Sequence, residues 1–301
     1  MHGLMMDYPL TLQHFMDRAQ RLFPKKEIAT KQGAAMHRYT YADWYARTNK
    51  LAGALKRLGV KKSDRLGTFA WNTYRHLELY FGISCYGAIT HTLNLRLPPD
   101  QLIFIANHAE DSIIFVDASL VPLLEKVAPH LETVKQYVIL GDAPQHSLKN
   151  AISYEELIAP ESAGFDWPQL DEQDAAFMCY TSGTTGNPKG ALYSHRALFL
   201  HGFGAGLAAS LGITEGDIIL PVVPMFHVNA WGLPFVCAMV GATQVFPGPH
   251  LQPPDLLNLI QSEKVTIAAG VPTIWNGMLA ELEKNKYDLS SLRSMIVGGS
   301  A

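Results

Sequence analysis

Short apolar segments alternate with segments of helical periodicity along most of the chain, and this alternation restricts the possible folds more than any other feature. The pattern predicts a helix over Tyr41–Leu58, a strand at Arg65–Ala70 and a helix over His76–Tyr86. Strands joined by helices are typical of parallel sheets, because each parallel connection has to cross back over the sheet. The sequence therefore predicts an α/β fold with helices packed on largely parallel sheets.

The same alternation extends to the last residues. Thr40 can cap the first of these helices, and Gly59 can end it. Further helices are predicted after Pro98–Pro99, over 195–208 and over 273–283. Further strands are predicted at Ile89–Leu93, Ser112–Asp117, Gln136–Leu140, Ala175–Tyr180, Ala191–Ser194, Ile218–Val223, Thr243–Phe246, Val265–Ala269 and Ser294–Val297.

Residues 141–174 have a different character. They contain Pro144, Pro160 and Pro168, several acidic residues and little periodicity. Such composition is typical of a connection that runs over the surface. The sequence therefore predicts a first α/β lobe at 1–140, a connecting segment at 141–174 and a second α/β lobe at 175–301.

Composition limits the function classes. The 301 residues carry a net charge of −3, which offers no broad basic field for nucleic acid. Three widely spaced cysteines indicate a reducing, cytoplasmic setting. The longest apolar stretch, Gly232–Ala242, is too short to span a bilayer and predicts a buried helix. Peripheral membrane contact stays possible.

The segment TSGTTGNPKG, Thr181–Gly190, follows a predicted buried strand. Its glycines let backbone N–H groups approach a polyanion, and its four hydroxyl side chains can contact phosphate oxygens or Mg²⁺. Lys189 supplies a positive charge for phosphates. A small-residue surface hairpin is the alternative, but the dense hydroxyls and the position beyond a strand end favour phosphate binding.

Other motifs are missing from the sequence. The loop is not a Walker A motif, since Lys189 is followed by Gly190 and Ala191. The segment Gly202–Leu207 lacks the third glycine of a dinucleotide-binding fingerprint. The twelve histidines and three cysteines show no zinc-site spacing, and no GxSxG hydrolase motif occurs.

Three segments carry a resemblance to a known superfamily. Tyr180–Gly190 resembles the signature loop of the adenylate-forming enzymes, which include acyl-CoA synthetases, firefly-type luciferases and peptide-synthetase adenylation domains. PMFHVNAW, Pro224–Trp231, is similar to the second core motif of fatty-acyl-CoA ligases, and Val297–Ala301 resembles the start of the adenine-contacting segment. Leu192–Ala197 is also similar to medium- and long-chain acyl-CoA ligases.

The resemblance implies roles for particular residues. Lys189 and His227 are the candidate catalytic residues, with His227 expected to orient groups between the nucleotide and the acyl pocket. Thr181 is the candidate Mg²⁺ ligand. The candidate ATP and phosphate contacts are Thr181, Ser182, Gly183, Thr184, Thr185, Gly186, Lys189, Gly299, Ser300 and Ala301. The candidate acyl pocket consists of His227, Val228, Asn229, Trp231, Gly270 and Gly298.

The resemblance also implies a reaction. A fatty acid would react with ATP, in the presence of Mg²⁺, to give an acyl-adenylate and then an acyl-CoA thioester. An aryl, luciferin-like or carrier-linked acid, or a non-catalytic nucleotide-binding module, are the alternatives. The second core motif offers no aspartate for an amino group, which disfavours an amino-acid substrate. Related ligases also suggest a homodimer.

The end of the sequence falls within one of these motifs. A strand at Ser294–Val297 that opens into two glycines is expected to continue, so the stop at Ala301 is interpreted as a truncation. By resemblance, the C-terminal domain and its catalytic lysine would lie beyond this point. The chain alone is then expected to be an incomplete N-terminal adenylate-forming domain with little activity.

Overall fold

The computed structural model describes residues 1, 3–142, 144–181 and 188–299. The helices are α1 (Gln13–Leu22), α2 (Tyr41–Arg57), α3 (Tyr74–Tyr86), α4 (Pro99–His108), α5 (Val121–Val127), α6 (Tyr154–Ile158), α7 (His195–Gly206), α8 (Leu233–Val240), α9 (Pro253–Glu263) and α10 (Pro272–Leu282). The strands are β1 (Glu27–Gln32), β2 (Ala35–Thr40), β3 (Arg65–Phe69), β4 (Ile89–Thr92), β5 (Ile113–Asp117), β6 (Gln136–Leu140), β7 (Ala151–Ser153), β8 (Ala175–Thr181), β9 (Lys189–Ser194), β10 (Ile218–Pro221), β11 (Thr243–Phe246), β12 (Ile267–Gly270) and β13 (Ser294–Val297).

These strands form two sheets. One has six strands in the order β13-β12-β10-β11-β1-β2, and the other has seven in the order β7-β6-β5-β3-β4-β8-β9. Neighbouring strands are parallel except for the pairs β1–β2 and β8–β9. The predicted α/β architecture with largely parallel sheets is confirmed.

Local sequence accounts for the central helices. Thr40 and Asp43 form a reciprocal capping box at the start of α2, as the sequence predicts for Thr40. Helix α3 ends at Gly87, which has the positive φ of 98° that glycine adopts without a steric penalty. Helix α3 is buried along almost its whole length, and α2 packs against it so closely that Leu51 occupies the space beside Gly82.

The sheets do not follow the order of the chain. The hairpin β1–β2 joins the six-stranded sheet beside β11, and β8 and β9 join the seven-stranded sheet beside β4. Each sheet thus contains strands from both sides of the segment 141–174. That segment itself contains β7 and α6, with Tyr154 fully buried. The division into lobes at 1–140 and 175–301 stays a prediction.

The carboxyl ends of the two sheets meet at Asn72, three residues beyond the end of β3. Its side-chain amide donates to the carbonyl oxygens of Pro221 and Val223, at 2.8 and 2.9 Å. Its Oδ1 accepts from the backbone N–H of Met225 at 2.7 Å. Asn72 therefore fixes β3 of one sheet to the end of β10 in the other, at the edge where parallel sheets bind ligands.

Candidate active site

The predicted phosphate loop connects β8 to β9. Thr181 is the last residue of β8 and Lys189 is the first residue of β9. The two are register partners, and both are exposed. The candidate residues Ser182, Gly183, Thr184, Thr185 and Gly186 lie outside the described residues, as do Ser300 and Ala301. The structure thus places the backbone of Lys189 beside that of Thr181 where the two strands meet the loop, and their roles in phosphate binding stay a prediction.

Tyr180 links the loop end of this hairpin to α4. Its hydroxyl lies 2.6 Å from Nδ1 of His108, at the end of α4. A side chain at Gly190, its register partner, would lie 3.2 Å from the Tyr180 ring, so the glycine allows the two strands to pack closely. Burial raises the pKa of Tyr180 to about 12, which keeps its hydroxyl protonated. No motif in the sequence predicts His108 as a partner of this hairpin.

A cleft of about 250 Å³ lies between the carboxyl ends of the two sheets. Three candidate residues line it: His227, Trp231 from the predicted acyl pocket, and Gly299 from the predicted ATP contacts. Asn94 and Arg96, which follow β4, form the opposite wall and were not predicted. The complete lining consists of Asn94, Arg96, Val222, Val223, Pro224, Phe226, His227, Trp231, Leu251, Val271, Ile274 and Gly299.

His227 is held in its neutral form. Partial burial lowers the pKa of its imidazole below 6.5, and the nearby positive charge of Arg96 lowers it further. A neutral imidazole can donate or accept a hydrogen bond without repelling Mg²⁺ or a cationic group. These properties suit a residue that orients a substrate. A carboxylate substrate is already ionised at pH 7, so its attack needs no general base.

The residues after His227 form a left-handed turn, Val228–Gly232. The φ angles of Val228, Asn229, Ala230 and Trp231 lie between 46° and 55°, and Gly232 has φ 75°. Non-glycine residues in this region cost on the order of 1–3 kcal/mol each and persist only where their surroundings hold them.

A second cavity, of about 460 Å³, lies on the other side of this turn. Its lining is almost entirely apolar, and Trp231 forms a wall of both cavities. His201 is part of the lining, and its Nε2 lies 3.0 Å from the carbonyl oxygen of Trp231. The complete lining consists of Tyr193, Ala197, Leu198, His201, Val228, Asn229, Trp231 and Gly232. The structure thus brings the predicted acyl-pocket residues Val228, Asn229 and Trp231 together.

The candidate glycines fall in different places. A side chain at Gly298 would lie 3.2 Å from the Trp231 ring, so the absence of one lets that ring approach the backbone. Gly299 lines the 250 Å³ cleft with a positive φ of 91°. Gly270 is not among the lining residues of either cavity; a side chain there would point at Trp275, 3.0 Å away.

Two observations concern metals and membranes. Within the described residues, no group of three His, Cys, Asp or Glu side chains could hold a metal ion. Magnesium typically binds few protein ligands together with substrate phosphates, so the exposed Thr181 hydroxyl, which lies 3.5 Å from the carbonyl oxygen of Lys189, fits that role. No helix in the same described ranges has the length and apolarity to cross a membrane.

The fold is that of the adenylate-forming class of enzymes. The AMP-binding enzyme family matches residues 16–301, and the chain belongs to this family. It is 45% identical over 305 residues to a 3-methylmercaptopropionyl-CoA ligase of Ruegeria pomeroyi, covering 100% of this chain and 57% of that protein. It is also 45% identical over 299 residues to a long-chain-fatty-acid–CoA ligase of Thermus thermophilus, covering 99% of this chain and 54% of the other.

A solved structure supports the same assignment. The anthranilate CoA ligase AuaEII, crystallised in complex with anthranoyl-AMP, superposes with a TM-score of 0.88 at 27% identity, covering 98% of this chain and 56% of that one. The chain thus spans little more than half the length of the relatives it matches.

Proposed function

We propose that the complete protein is a fatty-acid–CoA ligase. The carboxylate oxygen of the acid attacks the α-phosphorus of ATP, and pyrophosphate leaves to give an acyl-adenylate. The CoA thiolate then attacks the acyl carbonyl carbon, and AMP leaves to give the thioester. Two relatives named as CoA ligases, each at 45% identity, support the class of reaction.

The apolar cavity beside the left-handed turn is the observation that favours a fatty acid as the substrate. Its volume of about 460 Å³ lies within the range of small-molecule sites. None of the described residues that line it is Asp, Glu, Lys or Arg, so a charged tail would lose its hydration without gaining a partner of opposite charge. An aliphatic tail gains from burial in such a cavity, by about 0.8 kcal/mol for each methylene.

The residues around the cavity then have distinct roles. Lys189 neutralises phosphate charge, and the Thr181 hydroxyl would hold Mg²⁺, which would supply further positive charge beside the phosphates. His227 lies between the cleft and the turn, where its neutral imidazole orients the carboxylate relative to the nucleotide. Trp231, as a wall of both cavities, separates the acyl tail from the reacting groups.

A small thioether acid is the second candidate. The relative from Ruegeria pomeroyi is named as a 3-methylmercaptopropionyl-CoA ligase and is as similar to this chain as the long-chain ligase from Thermus thermophilus. A thioether is polarizable and uncharged, so it also suits an apolar cavity.

A chain-length series distinguishes the two candidates. The complete protein is supplied with ATP, Mg²⁺, CoA and straight-chain acids of increasing length, with 3-methylmercaptopropionate and an amino acid alongside. We expect kcat/KM for thioester formation to rise with each methylene until the cavity is full. Saturation at the shortest acids, with preference for 3-methylmercaptopropionate, would favour the second candidate. Pyrophosphate exchange with only the amino acid would contradict both.

The assembly and setting of the protein are further proposals. A homodimer, as related ligases suggest, would show as a dimeric sedimentation coefficient at tens of micromolar, because interfaces of ordinary size reach micromolar affinity or better. A monomer at that concentration would contradict it. The cytoplasmic location proposed from the few, separated cysteines is tested by fractionation of the cell that produces the protein.

A further inference from the structure

A buried thiol joins the strand before the phosphate loop to the left-handed turn. The Cys179 thiol donates to Oδ1 of Asn229 at 3.3 Å. The Thr92 hydroxyl lies 3.2 Å from the same sulfur, and Thr92 is the register partner of Cys179 on β4. Exposure is 4% for Cys179, 2% for Thr92 and 3% for Asn229, so water does not compete for these bonds.

The turn needs an anchor of this kind. Four successive non-glycine residues with positive φ form a backbone that relaxes unless contacts hold it. His201 contacts one end of the turn, at the Trp231 carbonyl, on the exposed side. The bond from Cys179 reaches Asn229 in the middle of the turn, on the buried side.

The position of Cys179 also relates the two substrate sites. It lies two residues before Thr181, whose register partner is Lys189, so β8 leads directly into the phosphate loop. Asn229 lies two residues before Trp231, which forms a wall of both cavities. A shift of β8 on nucleotide binding would therefore reach the acyl cavity through the buried contact between Cys179 and Asn229.

We propose that Cys179 and Thr92 are positioning residues that couple the nucleotide site to the acyl cavity. This proposal rests on the ligase function proposed above, and it concerns two residues that do not line either cavity. Thr92 orients the sulfur, the thiol holds Asn229, and Asn229 fixes the turn that carries Trp231. Burial raises the pKa of the Cys179 thiol, which keeps its proton and its donor role at neutral pH.

Hydrogen–deuterium exchange tests the anchor without any assay of activity. Cys179→Ala removes the donor, Cys179→Ser keeps one, and Cys237→Ala removes another fully buried sulfur, on α8, as a matched control. We expect exchange of peptides covering 227–232 to rise about two- to tenfold in Cys179→Ala, the range set by loss of one hydrogen bond. Cys179→Ser and Cys237→Ala should stay near wild type there. Unchanged exchange in Cys179→Ala would overturn the anchor.

Steady-state kinetics of the complete protein tests the coupling. In the wild type, the KM for the fatty acid should fall as ATP approaches saturation. The dependence of this KM on ATP should disappear in Cys179→Ala and return in Cys179→Ser. If the role of Cys179 were purely structural, Cys179→Ala would lower the yield or stability of the protein and leave the dependence on ATP intact. The same dependence in Cys179→Ala and wild type would overturn the coupling. Absence of thioester formation by the wild type would contradict the ligase function instead, and the exchange measurement would still decide the anchor.

Discussion

Lys189 is the residue for which the sequence motif makes the most direct prediction of a role, the neutralisation of phosphate charge. It stands opposite Thr181 at the end of the phosphate-loop hairpin and is exposed to incoming ligands. In the complete protein, Lys189→Ala should slow adenylate formation, because the loss of a charge-assisted contact to phosphate costs about 1.5–3 kcal/mol. That cost corresponds to roughly 10- to 150-fold in rate. Pyrophosphate exchange measures it.

The control is a lysine outside the cleft. Lys149 is exposed and lies between β6 and β7. Lys149→Ala should exchange pyrophosphate at the wild-type rate. If Lys189→Ala also exchanged pyrophosphate at the wild-type rate, Lys189 would have no role in adenylate formation.

His227 offers a second test at this scale. The nearby charge of Arg96 lowers the pKa of its imidazole in addition to the effect of burial. Arg96→Gln removes that charge, so the pKa of His227 should rise toward 6.5 while staying below it because burial remains. NMR titration of the imidazole measures the change. An unchanged or lowered pKa would show that Arg96 does not act on His227.

The sequence predicts part of this site and not the rest, for a physical reason. Thr181 and Lys189 are close in the chain, so a local motif identifies both. Asn94 and Arg96 belong to the cleft because the segment after β4 in one sheet lies beside the segments that follow β10 and β12 in the other. No local pattern records that contact, which joins segments more than 120 residues apart.

At the scale of elements, the left-handed turn is the part that sequence reasoning could not supply. The apolar stretch Gly232–Ala242 predicts a buried helix, which the structure confirms as α8. The preceding Val228, Ala230 and Trp231 have side chains that disfavour positive φ. Their conformation is imposed by tertiary contacts, which local propensity does not encode.

Gly232→Ala tests the importance of this turn. Gly232 has φ 75°, and a Cβ there would lie 2.3 Å from Cδ2 of His201. The substitution should lower the free energy of unfolding by about 1–3 kcal/mol and displace His201 from the wall of the apolar cavity. Chemical denaturation measures the first effect, and the KM for fatty acids measures the second.

Gly216→Ala is the matched control. Gly216 has no positive φ, and a Cβ there meets only Oγ1 of Thr214, at an ordinary 3.8 Å. Its stability should change by less than about 0.5 kcal/mol. Equal effects of the two substitutions would show that the turn has no special requirement for glycine.

The predicted elements also show where periodicity fails. Helix α2 was predicted from its apolar spacing and its Thr40 cap, which are local signals. The hairpin β1–β2 was not predicted, since only three successive residues of β1 are buried and charged residues flank them. Its place in the sheet depends on pairing with β11, more than 200 residues later.

At the scale of the whole molecule, Asn72 connects the two sheets by three hydrogen bonds. Asn72→Ala would leave two carbonyl oxygens and one N–H buried without their partner. Each such group costs about 1–3 kcal/mol, so the free energy of unfolding should fall by about 3 kcal/mol or more. Urea denaturation measures the loss.

An exposed asparagine provides the comparison. Asn285 lies in the exposed stretch after α10, and Asn285→Ala should change stability by less than about 0.5 kcal/mol. If Asn72→Ala proved equally harmless, another set of contacts would have to hold the sheets together.

Stability should also depend on pH through two buried histidines. Burial lowers the pKa of both His76 and His195 from 6.5 to about 4. Below pH 6.5 the unfolded chain binds protons at these sites, while the native chain stays neutral down to about pH 4. Above pH 6.5 these two histidines do not lower the free energy of unfolding. As the pH falls from 6.5 to about 4, protonation of the unfolded chain lowers the free energy of unfolding by up to about 1.4 kcal/mol per pH unit for each histidine.

A histidine variant separates this effect from other titrations. Burial raises the pKa values of Glu78 and Asp111, and such carboxyls oppose the loss of stability on acidification. His195→Gln removes one of the two titrating histidines and leaves these carboxyls in place. The glutamine side-chain oxygen can accept from the Leu12 N–H, as Nδ1 of His195 does at 3.3 Å. Urea denaturation at pH 7.5 and pH 5 should therefore show a smaller decrease in stability for His195→Gln than for the wild type. An equal or larger decrease would mean that His195 is protonated in the native protein at pH 5, contrary to its burial.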